Sequence, residues 1–376
     1  MRGGRVAIHL ISTGGVYGAE RVLLEIAGYI HAQGWQCHVV ALEGQGAGDL
    51  VNFAVSAGLT GEAFKLGARM AILPMAIRLR QLLREHPRAI VHSHNYKPDM
   101  LLSMLGAPRR LACVATCHSS YRETRKLRFL ATLDKRALRS FDRVVAVSAE
   151  IHDELLVSGI RREQLALIHN GIAAPQPEAH SGTTVRAEFD VPAGAKLIVQ
   201  IGRLVRLKRS DLLFNAVSRL PQALDAHILL VGEGDQRQAL AALAIQKGLE
   251  SRVHFCGYRN DTARILAAAD LMVLTSDYEG LPMVIIEAMA MRCPIVTTRV
   301  GAIPDVLNDG EDAWIVPIND VEALIVAIGA ALGSPRIARE RAANAHLKYL
   351  ARHSREAVGA RYLEIYESVW ARRAWD

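Results

Sequence analysis

The feature that most constrains the fold is a repeated alternation of short apolar segments with helical patterns. In the first half of the chain, each apolar segment is long enough for one buried strand and is followed by a stretch of helical periodicity. The predicted strands cover residues 5–11, 37–42, 89–92, 111–117 and 143–147, and the clearest helical patterns between them cover 20–33 and 75–85. This order predicts a doubly wound parallel sheet with helices on both faces.

The alternation is interrupted once, by a segment rich in proline, serine and glycine at residues 172–184. It then restarts, with predicted strands at 196–201, 227–231, 252–256, 271–274, 295–298 and 313–316 and a helical pattern at 356–370. We therefore predict an α/β chain of two doubly wound domains, 1–171 and 172–355, followed by a helix at 356–376 that returns to the first domain. Such domains face each other across a cleft, with ligands at the carboxyl ends of the strands.

Composition limits the classes of protein that this chain can form. It has 376 residues, of which 51% are apolar and 22% charged, so it can bury two domain cores and is not a disordered chain. Five widely spaced cysteines include no Cys-x-x-Cys pair, which disfavours a disulfide framework or a zinc site and indicates a reducing, cytoplasmic compartment. The longest stretch without Lys, Arg, Asp, Glu or His, 13 residues at 323–335, is shorter than the roughly 20 that cross a bilayer.

Positive charge is concentrated in the first half of the chain. The net charge is +7, but residues 1–170 carry 22 Lys and Arg against 14 Asp and Glu, whereas residues 171–376 carry 23 against 24. In the segment 122–143, basic residues interleave with leucines and a phenylalanine. We expect this segment to meet an anionic membrane surface, although a solvated helix packed on its sheet has the same pattern. No nucleic-acid-binding module accompanies the charge, so nucleic acid is not an expected partner.

Two predicted strands of the first half end in residues suited to ligand contact. Gly14, Gly15 and Gly18 follow the first strand, where glycines let the backbone approach a ligand and a helix N-terminus favours phosphate. A dinucleotide site would use Glu43 for a ribose, but the glycine spacing matches that pattern loosely, and a tight turn alone also explains the glycines. His118 follows the strand 111–117, where its ring can donate a hydrogen bond to a ligand.

Two histidines, His92 and His94, alternate along a third predicted strand and therefore share one face. A metal site would need a third ligand, which the local sequence does not offer. We expect polar residues that line the cleft or hydrogen-bond at the strand end, and no metal.

In the second half, charged residues follow two predicted strands. Arg203 and Lys208 come after the strand 196–201, where cations suit an anionic ligand such as a diphosphate, although a solvated basic loop is the alternative. Glu279 lies in a predicted loop and Glu287 on the next helix, with Pro282 expected at an early helical position. Carboxylates beside a helix N-terminus are suited to a ligand with neighbouring hydroxyls and a phosphate.

These segments together resemble the family 4 retaining glycosyltransferases (glycosyl transferases group 1), which have the GT-B fold of two Rossmann-like domains. The resemblance covers nearly the whole chain, and its most specific part is the Glu-x7-Glu motif of EGLPMVIIEAMAMRCPIV at 279–296. The other matching segments are GGVYGAER at 14–21, VAVSAE at 145–150, IHNGI at 168–172, GRLVRLKR at 202–209 and VGEGDQR at 231–237. The resemblance implies that the first domain binds the acceptor and that the second binds a nucleotide sugar.

The resemblance also implies roles for single residues. Arg203 and Lys208 would bind the diphosphate of a UDP- or GDP-sugar, and Glu279 would hold hydroxyls of the donor sugar. The remaining implied contacts are Glu287 to the ribose, Gly15 to the phosphate, His118 to the donor sugar near the reacting centre, and the backbone of Gly280, Leu281 and Pro282 to the sugar and phosphate. Among these residues, His118, Glu279, Arg203 and Lys208 would be catalytic. Asp305 stands where the family often has Glu, so the role of its loop is open.

The implied reaction is transfer of a sugar, with retention of configuration, to a glycan or lipid-linked acceptor. Fixed cations can stabilise the departing diphosphate, and the sequence has no Asp-x-Asp motif, so we expect no metal and no other cofactor. We expect the protein in the cytoplasm, with a peripheral position on the membrane as an extension of that expectation. A nucleotide-sugar 2-epimerase and a non-catalytic nucleotide-sugar-binding protein remain the alternatives.

Overall fold

The computed structural model describes residues 4–15, 18–42, 46–64, 72–118, 125–174 and 182–373. Glu43, most of the predicted linker and the start of the basic segment lie outside the described residues. The chain divides into two compact units, Met1–Ala173 with Arg355–Asp376, and Ala174–Ser354. Each unit is built on its own sheet.

The first unit contains a seven-stranded sheet in which all neighbouring strands are parallel, in the order β3-β2-β1-β4-β5-β6-β7. Its elements in chain order are β1 (Val6–Ser12), α1 (Gly18–Ala32), β2 (Gln36–Leu42), α2 (Ala47–Ser56), β3 (Thr60–Phe64), α3 (Ile72–Glu85), β4 (Ile90–Ser93), α4 (Tyr96–Met104), β5 (Ala112–Cys117), α5 (Arg125–Leu138), β6 (Arg143–Ala146), α6 (Ala149–Val157) and β7 (Leu165–Leu167). The central strands are predominantly apolar and are buried on both faces, as parallel sheets covered by helices require.

The second unit contains a six-stranded parallel sheet in the order β10-β9-β8-β11-β12-β13. Its elements are α7 (Gly182–Glu188), β8 (Lys196–Ile201), α8 (Ser210–Val217), β9 (Ala226–Val231), α9 (Arg237–Gln246), β10 (Val253–Gly257), α10 (Thr262–Ala268), β11 (Leu271–Leu274), α11 (Met283–Ala290), β12 (Ile295–Thr298), α12 (Ile303–Val306), β13 (Trp314–Val316), α13 (Val321–Gly333) and α14 (Pro335–Arg352). Successive β8 side chains enter opposite cores, with Ile198 in one cluster and Val199 in the other.

The last helix, α15 (Arg355–Arg372), belongs to the first unit and packs against α1. The two helices approach so closely that a Cβ on Gly359 would lie 2.2 Å from Cγ of Tyr29. Two turns further along the same face of α15, the ring of Tyr366 meets Trp35 edge-on at 5.6 Å between centroids. The helix therefore forms part of the first unit's core.

Two parallel-sheet α/β units confirm the predicted fold class. The strands β8, β11 and β12 have the predicted bounds, whereas the short strands β3 and β7 at the two edges of the first sheet were not predicted. The apolar pattern of β3 is interrupted by Gly61 and Glu62, and β7 is apolar but only three residues long. The predicted linker was too long, because α7 already begins at Gly182.

No single helix among the described residues is both long and apolar enough to cross a membrane. The consecutive helices α13 and α14 reach that length and apolar content only when taken together, and they are bent by 100° relative to each other.

Candidate functional site

The second sheet changes direction of strand order between β8 and β11, which are neighbours in the sheet. From β8 the chain continues outward to β9 and β10, whereas β11 is followed by β12 and β13 on the other side. Loops that leave two such neighbouring strands diverge and open a crevice, which is where doubly wound sheets bind ligands. The loops after β8 and β11 contain Arg203, Lys208 and Glu279.

Lys208 and Glu279 form the central contact of this site. The Lys208 ammonium donates to Oε1 of Glu279, and the hydroxyl of Ser276 donates to the same oxygen at 2.6 Å. The two charged side chains retain only 17% and 13% of their exposure, so water screens the pair weakly. The stem of Lys208 crosses Gly202, where a Cβ would lie 3.3 Å from Cε of Lys208. The predicted residues are therefore brought together, with Ser276 as an additional member.

The loop that carries Glu279 is held by hydrogen bonds from three directions. The amide of Asp277 donates to the carbonyl of Leu207 at 3.0 Å, and the hydroxyl of Thr298 donates to the carbonyl of Ser276 at 2.7 Å. The amide of Ala302 donates to the carbonyl of Gly280 at 2.9 Å. These bonds fix the position of Glu279 before any ligand arrives.

A glycine is required where the loop after β12 meets the Glu279 loop. Gly301 has a φ of +51°, and a Cβ there would lie 2.2 Å from the carbonyl oxygen of Glu279 and 2.3 Å from that of Gly280. An L-residue would be strained in this backbone conformation and would also push the Glu279 loop away. Asp305 lies exposed on the short helix α12 that follows.

The helix α11 differs from the prediction at its first residue. It begins at Met283, and Pro282 is its N-cap in extended conformation, with φ −66° and ψ 127°. The expectation that Pro282 lies inside the helix was wrong by one position. The proline ring restricts φ but not ψ, so Pro282 can adopt the extended conformation just before the helix. Leu281 and Pro282 are buried, and Glu287 is half-buried on the helix between buried neighbours.

Arginines flank the Lys208–Glu279 pair in different ways. The guanidinium of Arg203 is exposed, and within the described part of the chain it has no ion-pair partner. Arg209 is fully engaged, because it contacts Asp211 at 3.1 Å, Asp277 at 3.1 Å and the side chain of Asn319. Arg203 is thus available to an incoming anion, whereas Arg209 holds the loop.

The first sheet has an equivalent change of strand order between β1 and β4. After β1, the amide of Gly15 donates to the hydroxyl of Thr13 at 3.1 Å, which closes a tight turn. The side chain of Asn95, after β4, donates to the carbonyl of Ser12 at 2.7 Å and accepts from its amide at 3.3 Å. Gly15 therefore lies at the expected strand end, and Asn95 connects that end to the neighbouring strand.

His118, at the end of β5, is half-buried, and its Nε2 lies 3.4 Å from Nδ1 of His94. The reason given above against a metal was incomplete, because a third histidine comes from β1. His9 is in register with His92 on β4, and ligand atoms of His9, His92 and His94 all lie within 4.8 Å of one another. All three rings are completely buried.

Burial keeps these imidazoles neutral. Desolvation lowers the pKa of His9 to about 3 and that of His118 to about 4. The pKa values of His92 and His94 are also far below 6.5, first because of desolvation and then because of the neighbouring histidines. Each ring therefore carries one proton near neutral pH and has one donor and one acceptor nitrogen.

The described part of the basic segment is partly used inside the first unit. Lys135 pairs with Glu154 at 2.6 Å, Arg139 donates to the carbonyl of Ser158 at 2.5 Å, and Arg143 donates to the carbonyl of Glu163. Phe129 on α5 is 64% exposed. Three of the basic residues thus stabilise the packing of the unit, and the outer face of α5 retains an exposed aromatic ring.

Comparisons with known proteins agree with this architecture. Residues 195–334 match the family model described as Glycosyl transferases group 1, and residues 16–174 match the one described as Glycosyltransferase Family 4. The chain is 30% identical over 272 residues to the lipopolysaccharide core biosynthesis glycosyltransferase LpsE of Rhizobium meliloti. This match covers 72% of this chain and 76% of that protein. It is 24% identical over 301 residues to N-acetyl-alpha-D-glucosaminyl L-malate synthase of Bacillus anthracis, covering 79% of each.

Among solved structures, Anabaena HepE in complex with UDP matches with a TM-score of 0.84 at 21% identity, over 97% of this chain and 100% of that chain. WaaG, a glycosyltransferase involved in lipopolysaccharide biosynthesis, matches with a TM-score of 0.71 at 21% identity, over 96% and 99%. Two Rossmann-like units with these neighbours define the GT-B fold. The chain belongs to the group 1 (family 4) glycosyltransferases, and it is a transferase.

Proposed function

We propose that this glycosyltransferase transfers a sugar from a nucleoside-diphosphate donor to a glycan or lipid-linked acceptor, with retention of anomeric configuration. The observation that carries the proposal is the half-buried Lys208–Glu279 pair at the strand-order change of the second sheet. Uridine is the first base to test, since HepE was crystallised with UDP and with UDP-glucose. A lipopolysaccharide-type acceptor is the first to test, given the names of LpsE and WaaG.

In the proposed site, cations meet the diphosphate. An ammonium group has three donors, and Lys208 uses one of them on Glu279, so the others are left for phosphate oxygens. The exposed guanidinium of Arg203 adds a second cation at the same strand end. As the bond from the anomeric carbon to the diphosphate breaks, negative charge grows on the departing oxygen, and these fixed cations stabilise it without a metal.

Glu279 is proposed to hold the donor sugar. Within the described residues, its partners Lys208 and Ser276 both bind Oε1, which leaves Oε2 to accept from sugar hydroxyls. Glu287 is proposed to contact the ribose, and the amides of Gly280 and Leu281 the sugar and phosphate. In the first unit, Gly15 and His118 are proposed to contact the phosphate and the sugar near the reacting carbon. No step requires a covalent sugar–enzyme intermediate, so we propose a displacement on the same face of the sugar.

The test is turnover of a panel of UDP- and GDP-sugars, followed by proton NMR of the first product formed. We expect one donor to react and the product to keep the axial or equatorial character of the donor's anomeric bond. Lys208→Ala and Glu279→Gln are each expected to lower kcat/KM at least about a hundredfold. The matched control is Arg219→Ala, which breaks an exposed arginine–glutamate pair in the same unit. Inversion of configuration would refute retention, and full activity of both site variants would refute the site. Conversion of the donor to its 2-epimer, or binding without turnover, would establish the alternative functions.

A further inference from the structure

The buried histidines of the first unit form part of one unbranched series of hydrogen-bonding side chains that ends at His118. From His118 inward, Nε2 lies 3.4 Å from Nδ1 of His94, whose Nε2 lies 3.2 Å from Nδ1 of His9. Nε2 of His9 lies 3.5 Å from the hydroxyl of Tyr366, which lies 2.7 Å from Nδ1 of His92. We call this series, with the two members described next, the histidine relay.

The inner end of the histidine relay lies between β5 and α15. Nε2 of His92 lies 2.8 Å from the hydroxyl of Thr116, and that hydroxyl lies 3.1 Å from the hydroxyl of Tyr362. Tyr362 and Tyr366 are one helical turn apart on α15, and both are buried. The C-terminal helix thus supplies two of the seven members, and the strands β1, β4 and β5 with the residues after them supply the other five.

Neutral imidazoles and hydroxyls give such a series a single direction. Each inner ring uses both nitrogens, one as donor and one as acceptor, and each hydroxyl has one proton to donate. A hydroxyl oxygen can also accept from both of its neighbours, but its own proton is then buried without a partner among the described residues, which costs about 1–3 kcal/mol. Without such a defect inside the series there are two states, in which all protons point either toward His118 or away from it.

The end at Tyr362 decides between these two states. If the protons point away from His118, Thr116 donates to Tyr362, and the tyrosine's own proton needs another acceptor. Within the described residues, the hydroxyl of Tyr362 has Thr116 as its one hydrogen-bond partner. A buried donor without an acceptor costs about 1–3 kcal/mol, so the state with protons pointing toward His118 is favoured. In that state His94 donates to Nε2 of His118, and the proton of His118 is on Nδ1.

We propose that the histidine relay holds His118 in the Nδ1–H tautomer, so that His118 meets the substrate as a hydrogen-bond donor to a sugar oxygen and not as a base. His94, His9, Tyr366, His92, Thr116 and Tyr362 are then positioning residues. The part that concerns the sugar rests on the proposed function, whereas the tautomer does not.

A metal ion held by His9, His92 and His94 is the competing explanation for the same cluster. It is disfavoured because both nitrogens of each ring already have a partner in the relay, which leaves no lone pair for a metal. A zinc ion would also need a fourth ligand or an open position, and the three rings are completely buried.

The experiment is nitrogen-15 NMR of the histidine rings in the full-length protein, with His118→Asn used to assign the His118 signals. The wild type is expected to show a protonated Nδ1 and an unprotonated Nε2. Tyr366→Phe removes one hydroxyl from the relay and is expected to let the second tautomer of His118 appear and to lower kcat/KM about fivefold. Tyr29→Phe is the control, because Tyr29 packs on the same helix at Gly359 but is not in the relay, and its spectrum and activity are expected to match the wild type.

Protonation of Nε2, or of both nitrogens, in the wild type would overturn the proposal. So would one equivalent of zinc in the purified protein, or an unchanged His118 tautomer in Tyr366→Phe. The spectra test the relay without any substrate, whereas a wrong donor in the proposed function appears only as absence of turnover.

Discussion

Replacing His9 by glutamine tests whether the first unit is stable only while its buried histidines are neutral. The folded-state pKa of His9 is lowered by burial to about 3, compared with 6.5 for an exposed imidazole. Below about pH 6.5 the unfolded chain therefore binds a proton at His9 that the folded chain does not bind, so the folded state loses stability as the pH falls. Between about pH 7.5 and about pH 5, this one ring lowers the free energy of unfolding by about 2 kcal/mol. The figure is 1.36 kcal/mol for each of the roughly 1.5 pH units between 6.5 and 5.

Hydrogen exchange followed by mass spectrometry measures this loss within one unit. Peptides covering β1 report the free energy of opening of the first unit at each pH, after correction for intrinsic exchange rates. Between the two pH values, the wild type is expected to lose about 2 kcal/mol more than His9→Gln, because the variant has one titrating ring fewer. Burial also raises the pKa of Asp134 to about 7, which stabilises the fold as the pH falls, but this contribution is common to both proteins.

Peptides from β9 in the second unit serve as the internal control and are expected to respond equally in both proteins. Equal pH dependence of β1 in the wild type and in His9→Gln, or a larger loss in the variant, would refute the reasoning.

Three further predictions follow from single positions. Gly301→Ala is expected to weaken nucleotide-sugar binding about tenfold, because the added Cβ would displace the Glu279 loop. Gly194→Ala is the control and is expected to leave the affinity unchanged, because a Cβ there meets no atom within 4 Å. Titration calorimetry measures the affinity of both variants. Gly359→Ala is expected to lower the thermal unfolding midpoint, because its Cβ would force α15 away from Tyr29. Gly28→Ala, on α1, has open space around its Cβ and is expected to leave the midpoint unchanged or to raise it. An unchanged midpoint in Gly359→Ala would contradict the packing of α15 on α1. The wild-type protein is expected to sediment with anionic liposomes but not with neutral ones. Phe129→Asp replaces an exposed aromatic ring of α5 by a carboxylate and is expected to sediment less with the anionic liposomes. Equal sedimentation of the wild type with both kinds of liposome would contradict the expected membrane contact.

The sequence predicted the fold where the chain is most apolar. Strand β11 is a continuous apolar run, and β8 and β12 each contain a shorter one, at 197–199 and 295–296, so all three strands are visible in the sequence. The edge strands β3 and β7 were missed, because Gly61 and Glu62 interrupt the apolar pattern of β3 and because β7 is only three residues long. Each is held by pairing with one neighbouring strand.

The sequence named both members of the central pair, Lys208 and Glu279, but did not indicate that they touch. Their contact follows from β8 and β11 being neighbours, which is a property of the strand order and not of either segment. The residues that hold the Glu279 loop, Ser276, Thr298 and Gly301, were missed because each acts through a hydrogen bond or close approach to a segment distant in the chain. The histidine relay was missed for the same reason, since the register of β1 on β4 brings His9 beside His92.

The most direct test of the central claim is the affinity of the protein for a nucleoside diphosphate, measured by titration calorimetry with UDP and GDP. We expect the wild type to bind one of them, Lys208→Met to weaken this binding about tenfold or more, and the control Arg219→Met to leave it unchanged. Equal affinity of the wild type and Lys208→Met for that nucleotide would contradict the placement of the donor site at the Lys208–Glu279 pair.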